Sequence, residues 1–187
     1  MSAVARSRDQ LKNRENFDVS PTEALISAWL TNDRVTTYLI ENLPAELWPT
    51  KIPGYRQRTI RRMAAHIHNS RCAWVKSIGG KHGVKVPKPV DIEKVTQAGL
   101  GKALERSSRG IVHVIKLGAA RGGLVPPASW QNFPIDLAHF LCYFVAHEAH
   151  HRGQLVLLAQ QLGHPLPKKV IDGLWQWKTR SRESRKI

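Results

Sequence analysis

Cysteine is nearly absent from this chain. Two residues, Cys72 and Cys142, make no disulfide framework, and a reducing cytoplasm is the simplest expectation. Long apolar runs are absent too. Nothing approaches the roughly 18 residues needed to cross a bilayer, so no membrane partner is expected. Met1 to Asn16 is polar and charged without an apolar centre, which excludes a secretory signal there. Acidic residues are scarce: 14 Asp and Glu stand against 29 Lys and Arg, a formal net charge of +15. From Lys51 to Val90 there are none, against ten basic residues (Lys51, Arg56, Arg58, Arg61, Arg62, Arg71, Lys76, Lys81, Lys85, Lys88). No interleaved aromatics or nucleic-acid motif accompany that charge. It reads first as a solvated face, with a surface for nucleic acid or an acidic cosubstrate as the sharper alternative.

What is present is apolar periodicity. The 187 residues and a 42% hydrophobic fraction suit one folded domain with a real core. Ser20-Pro21-Thr22-Glu23 is a helix start, with a capping serine, proline at the first helical position and Glu at the third. Leu25, Ala28, Trp29, Val35, Leu39, Ile40 and Leu43 follow at helical spacing, and Pro44 closes the helix. The pattern predicts a second helix from about Gln57 to Ile78, ended by Gly79-Gly80, and a third from about Ile92 to Gly118. A fourth is predicted from about Pro134 to Leu162, and a short aromatic one around Lys168–Lys178. No strand pattern or internal repeat is visible. Four long amphipathic helices imply an all-α four-helix bundle.

The fourth helix carries Ala146-His147-Glu148-Ala149-His150-His151-Arg152-Gly153-Gln154. Histidines four apart share a helix face, and histidine is the commonest protein ligand for transition metals. On a helical wheel Phe140, Phe144, Gln154, Leu158 and Leu162 fall within about 60° of His147 and His151, which predicts that both face the bundle interior. His150 falls outside that stripe. A core pair satisfied by hydrogen bonds is one reading; two-thirds of a metal site is the other. The second helix offers His66 at the edge of its apolar stripe, while His68 is expected to face solvent. Three His from two helices leave an open coordination position. His82, His113, His139 and His164 have no comparable placement.

The run His147-Glu148-Ala149-His150-His151 also matches the H-E-x-x-H zinc-peptidase pattern. The longer metzincin motif would need Gly at 154 and His at 157, where this chain has Gln154 and Leu157. Glu183 is the only Glu after Glu148, so a downstream carboxylate ligand is missing as well.

His147-x-x-x-His151-Arg152-Gly153-Gln154, followed by Leu162-Gly163, resembles the last-helix motif of the DinB/YfiT-like metal-dependent superfamily. Arg58-Thr59-Ile60-Arg61-Arg62-Met63-Ala64-Ala65-His66-Ile67 resembles its second-helix motif, which ends in a ligand His. The likeness spans roughly residues 20–165. It implies a four-helix bundle of up-down-down-up topology and one divalent metal ion, zinc or nickel, held by His66, His147 and His151. Some members are similar to thiol S-transferases that use bacillithiol, mycothiol or glutathione, or to maleylpyruvate isomerase. This chain departs from them in its basicity, its extra His150 and its aromatic C-terminal segment.

The leading expectation is therefore a metal-dependent thiol S-transferase acting on a small thiol and an electrophile. Arg61 or Arg152 would hold carboxylates of the thiol, and Glu148 and Gln154 would orient a ligand His. Cys72 and Cys142 are expected to be buried small apolar residues. The alternatives are a basic nucleic-acid-binding module and a bundle whose metal is purely structural. A homodimer is expected, because related bundles pair and six Trp are many for one small core. The chain divides into a basic, loosely ordered segment 1–17, the bundle 18–166, and a short aromatic helix with a basic tail, 167–187.

Overall fold

The computed structural model describes residues 19–54, 58–127 and 135–184. The expected loose segment 1–17 and the last three residues of the tail lie outside them. Among the described residues there are six α-helices and no strand: α1 Pro21–Asn42, α2 Ile60–Gly79, α3 Gln97–Ala120, α4 Leu137–Gln161, α5 Lys168–Trp175 and α6 Trp177–Ser184. None of these helices is long and apolar enough to cross a membrane.

Each long helix begins where a side chain accepts a free backbone N–H. Ser20 accepts from Glu23 N while Glu23 reaches back to the Ser20 N–H, a complete capping box. Thr59 accepts from Arg62 N, Thr96 from Gly99 N and Asp136 from His139 N. These caps explain the shifted boundaries. The second helix starts after Thr59, three residues later than expected. The third starts after Thr96, leaving Val95 outside, where its carbonyl accepts from Trp48 Nε1 at 2.9 Å.

α3 tolerates glycine for a packing reason. A Cβ at Gly110 would meet Val75 Cγ2 at 3.0 Å, so the missing side chain lets α3 approach α2 closely. In the bundle α1 packs on α3 and α4, and α2 packs on the same two, so α1 and α2 lie across from each other. The long connection 43–59 makes that crossing possible.

The expected aromatic helix is two helices, and its tryptophans are not its anchor. Trp175 is 81% exposed, whereas Val170 and Gly173 are buried. α6 continues past Lys178 and docks on α1, with the Arg180 guanidinium 4.0 Å from the Tyr38 ring centroid and Glu183 accepting from Arg34 Nε at 2.7 Å.

The core is not one continuous apolar mass. One cluster gathers Leu39, Ile40, Leu47, Ile60, Ile67, Leu104, Leu155 and Ala159. A second gathers Trp29, Trp74, Val75, Ile111, Ile115, Phe140 and Phe144. Arg71 and Glu148, both with no exposed surface, contribute a third, ionic part of the interior.

Candidate metal centre

The Thr59 cap starts α2 so that His66 falls in its second turn. On α4, His147 and His151 are one turn apart. The structure brings the three together: each offers a nitrogen within 4.8 Å of the others. Ring centroids are 5.4 Å apart for His66–His147, 4.7 Å for His66–His151 and 4.5 Å for His147–His151. His66 is exposed and the α4 pair half-buried, so the cluster opens to solvent on the α2 side. Trp74 forms its floor, edge-on to His147 at 4.8 Å and stacked on Phe144 at 4.0 Å.

The interior placement expected for His147 and His151 needs correcting. The most buried row of α4 is Phe144, Glu148, Arg152, Leu155 and Ala159, one position round the helix. The histidines flank that row instead of forming it. An unpaired imidazole is costly to bury completely, while Glu148 and Arg152 have partners waiting inside.

The surroundings disfavour the protonated form of all three imidazoles. Burial pushes His147 down to about 4, helped by the charges of His151 and His66. Partial desolvation by the neighbouring rings and helices also lowers His151 and, despite its exposed edge, His66, and the nearby charge of Arg58 adds to both shifts. Gln154 Oε1 accepts from His151 Nδ1–H at 2.8 Å, which leaves the lone pair on His151 Nε2. That nitrogen faces His147 Nε2 at 3.3 Å. Two nitrogens at about 2.0–2.1 Å from one tetrahedral ion stand about 3.3–3.4 Å apart, so the α4 pair fits a shared cation. His147 Nδ1 is buried without a hydrogen-bond partner. The donor set of neutral nitrogens suits a divalent transition metal.

The remaining expected site residues are dispersed. Gln154 lies against His151. Glu148 points away from the cluster: its carboxylate accepts from Arg71 Nε and Nη2, Asn32 Nδ2 and Thr36 Oγ1. With both oxygens engaged it is in no position to act as a peptidase base. Arg152 turns inward too, its Nη1 donating to Asn32 Oδ1 at 2.9 Å and Thr36 Oγ1 at 2.7 Å. Arg61 donates to the Glu93 carbonyl.

Other expectations fail for definite reasons. His68, expected in solvent, is fully buried, with Nδ1 3.0 Å from Ser107 Oγ and Nε2 3.1 Å from the Lys88 carbonyl. Polar partners on α3 and on the loop after α2 replace the water it gives up. Cys72 is buried as expected, and burial raises its thiol to about 11; Cys142 is exposed instead. Arg71 belongs to the interior and not to the basic face into which its position in the 51–90 run placed it.

Arg71 is the residue that sequence reasoning missed, together with Asn32, Asp33 and Thr36 on α1. Arg71 Nη1 donates to Asp33 Oδ1 and to the Leu104 carbonyl, so this one side chain touches all four long helices. A signal existed: Arg71 is four residues after buried Ile67 and three before buried Trp74, in the middle of the apolar stripe.

The model of the DinB family matches residues 14–183 of the chain. No curated protein matches it.

Proposed function

The chain belongs to the DinB family, and on that footing we propose that it is a metal-dependent enzyme of the thiol S-transferase type. In this reading His66, His147 and His151 hold one divalent ion, zinc or nickel. The observation that carries the proposal is the convergence of three neutral imidazoles from two helices around one point. When bound, the ion supplies the Lewis acidity that lowers the pKa of a small thiol.

The chain's own residues do the rest. Gln154 holds His151 in the tautomer whose Nε2 lone pair faces His147. Burial, with neighbouring histidine and Arg58 charges, lowers the proton affinity of all three rings, which favours the neutral form that a cation can bind. Trp74 closes the floor, and the exposed His66 leaves the approach open. The charge of Arg58 reaches His66 and His151, which puts a cation near this approach for the carboxylates of a thiol cosubstrate. Arg61, which donates to Glu93, lies farther along the same helix start.

Metal analysis of protein purified without a histidine tag tests the proposal, paired with a thermal melt in added zinc or nickel. About one ion per chain is expected, with a melting shift that grows with metal concentration and disappears in His151→Ala. Glutathione-type thiols and an aryl halide then test transfer. A chain that carries no divalent ion and shows no shift refutes the reading. Metal binding without transfer of any thiol tried counts against the transferase reading and favours the structural alternative.

A further inference from the structure

The buried ionic layer bears directly on the metal cluster. Glu148 lies between His147 and His151 in sequence, and Arg71 follows His66 by five residues on α2. On each helix, the ligand histidines face outward while the charged residue beside them turns into the core. There the Arg71 fork meets the Glu148 carboxylate with two parallel bonds, Nε to Oε1 at 2.6 Å and Nη2 to Oε2 at 2.8 Å. A bidentate pair of planar groups sets both separation and relative rotation. Apolar side chains facing each other across the same seam would tolerate sliding.

Stability alone is a poor reason for this pair. Buried ion pairs are often matched or bettered by apolar replacements of the same volume. The surroundings nevertheless invest heavily in it. Asn32 and Thr36 from α1 satisfy the remaining carboxylate positions, Asp33 and the Leu104 carbonyl satisfy Arg71, and Trp29 lies 4.8 Å beneath its guanidinium. Every partner restrains the two side chains that tie α2 to α4, and those helices carry the three imidazoles.

We infer that Arg71 and Glu148 form a positioning pair, which locks α2 against α4 so that a His66 nitrogen is held within 4.8 Å of those of His147 and His151 before any ion arrives. This inference rests on the metal reading above. The pair touches no ion; it removes the reorganisation that binding would otherwise require.

The test is a zinc and cobalt(II) titration of the full chain, comparing wild type, Glu148→Gln, Arg71→Lys and a control, Leu39→Ala. Leu39 is fully buried in the apolar cluster away from Trp74 and Phe144, so its truncation lowers stability while removing none of the clamp's hydrogen bonds. Glu148→Gln keeps the shape and removes the charge. It should weaken zinc binding by roughly 10- to 100-fold, the range for residues that orient metal ligands, and should lower the visible cobalt absorption. Arg71→Lys keeps the charge without the fork, and an intermediate loss is expected. Leu39→Ala should bind within about 3-fold of wild type, with the wild-type cobalt spectrum, since a loss of global stability does not rearrange a folded site. If Glu148→Gln does not fold, Arg71→Lys carries the comparison. Unchanged affinity and spectrum in the folded clamp variants overturns this inference alone, as does an equal loss in Leu39→Ala. No binding by wild type overturns the metal reading and this inference together.

Discussion

Replacing Arg71 by Met is the sharpest perturbation of this fold. The substitution roughly conserves the length of the side chain and removes its charge from a site with no exposed surface. Asp33 on α1 and Glu148 on the neighbouring α4 are then left, among the described residues, with Arg152, whose nitrogen is 3.8 Å from Glu148, as the cation in contact. Breaking a buried ion pair by removing one partner costs about 3–5 kcal/mol, because the abandoned charge stays desolvated. The Leu104 carbonyl also loses a donor and Trp29 its overlying cation. For a chain of this size 1 kcal/mol moves the melting temperature by about 2–4 °C, so a drop of roughly 6–20 °C is expected. Urea unfolding of the metal-free protein, followed by far-UV circular dichroism and tryptophan fluorescence, measures it. The sign of the pH dependence adds a check. Burial already holds Asp33 above its ordinary 3.8, with Arg71 opposing that rise. Without Arg71 the folded state binds this proton more tightly still, so the variant's stability should fall more steeply than that of wild type as pH rises above about 4. Arg109→Met, which removes an exposed pair with Glu105, should stay within about 0.5 kcal/mol. A loss below about 1 kcal/mol in Arg71→Met, with no added pH dependence, would refute the ionic account of the core.

Three further outcomes follow. The metal-free protein should lose stability as pH falls below 6.5 toward about 4, since His147 resists protonation in the fold and takes a proton freely once unfolded; melting curves in chelator at pH 7.5 and 5.5 read this, and His147→Phe should flatten the slope. Gln154→Leu frees the His151 tautomer, and isothermal titration should show zinc affinity reduced about 10-fold or more with little change in melting temperature. Trp74→Ala opens a void beneath Phe144 and His147 and should cost about 3–5 kcal/mol by denaturant titration, whereas Trp175→Ala, at a site 81% exposed, should lie near zero.

Much of the candidate site was legible because its signals are local. His147 and His151 share a face through helical geometry alone, and His66 stood out at the edge of a readable stripe. The caps at Ser20, Thr59, Thr96 and Asp136 are each one residue acting on a neighbour three positions away, and the Ser20–Glu23 box is plain in the sequence. His68 stands two residues from the stripe-edge His66, nearly on the opposite side of α2, and that side meets α3 instead of solvent. Its burial depends on Ser107 and on the Lys88 carbonyl, 39 and 20 residues distant.

The amino-acid sequence by itself determined the four long helices and the three histidines, since periodicity, capping and spacing act over a few residues. Only the tertiary structure decided which stripe positions are deepest and what fills them. Arg71, Glu148, Arg152 and Asp33 look like surface charge one at a time. They became interior when α1, α2 and α4 brought opposite charges and hydrogen-bond partners together, because a buried charge is tolerated only beside groups that replace its water. Those partners are 38 to 120 residues apart along the chain, beyond the reach of any local pattern.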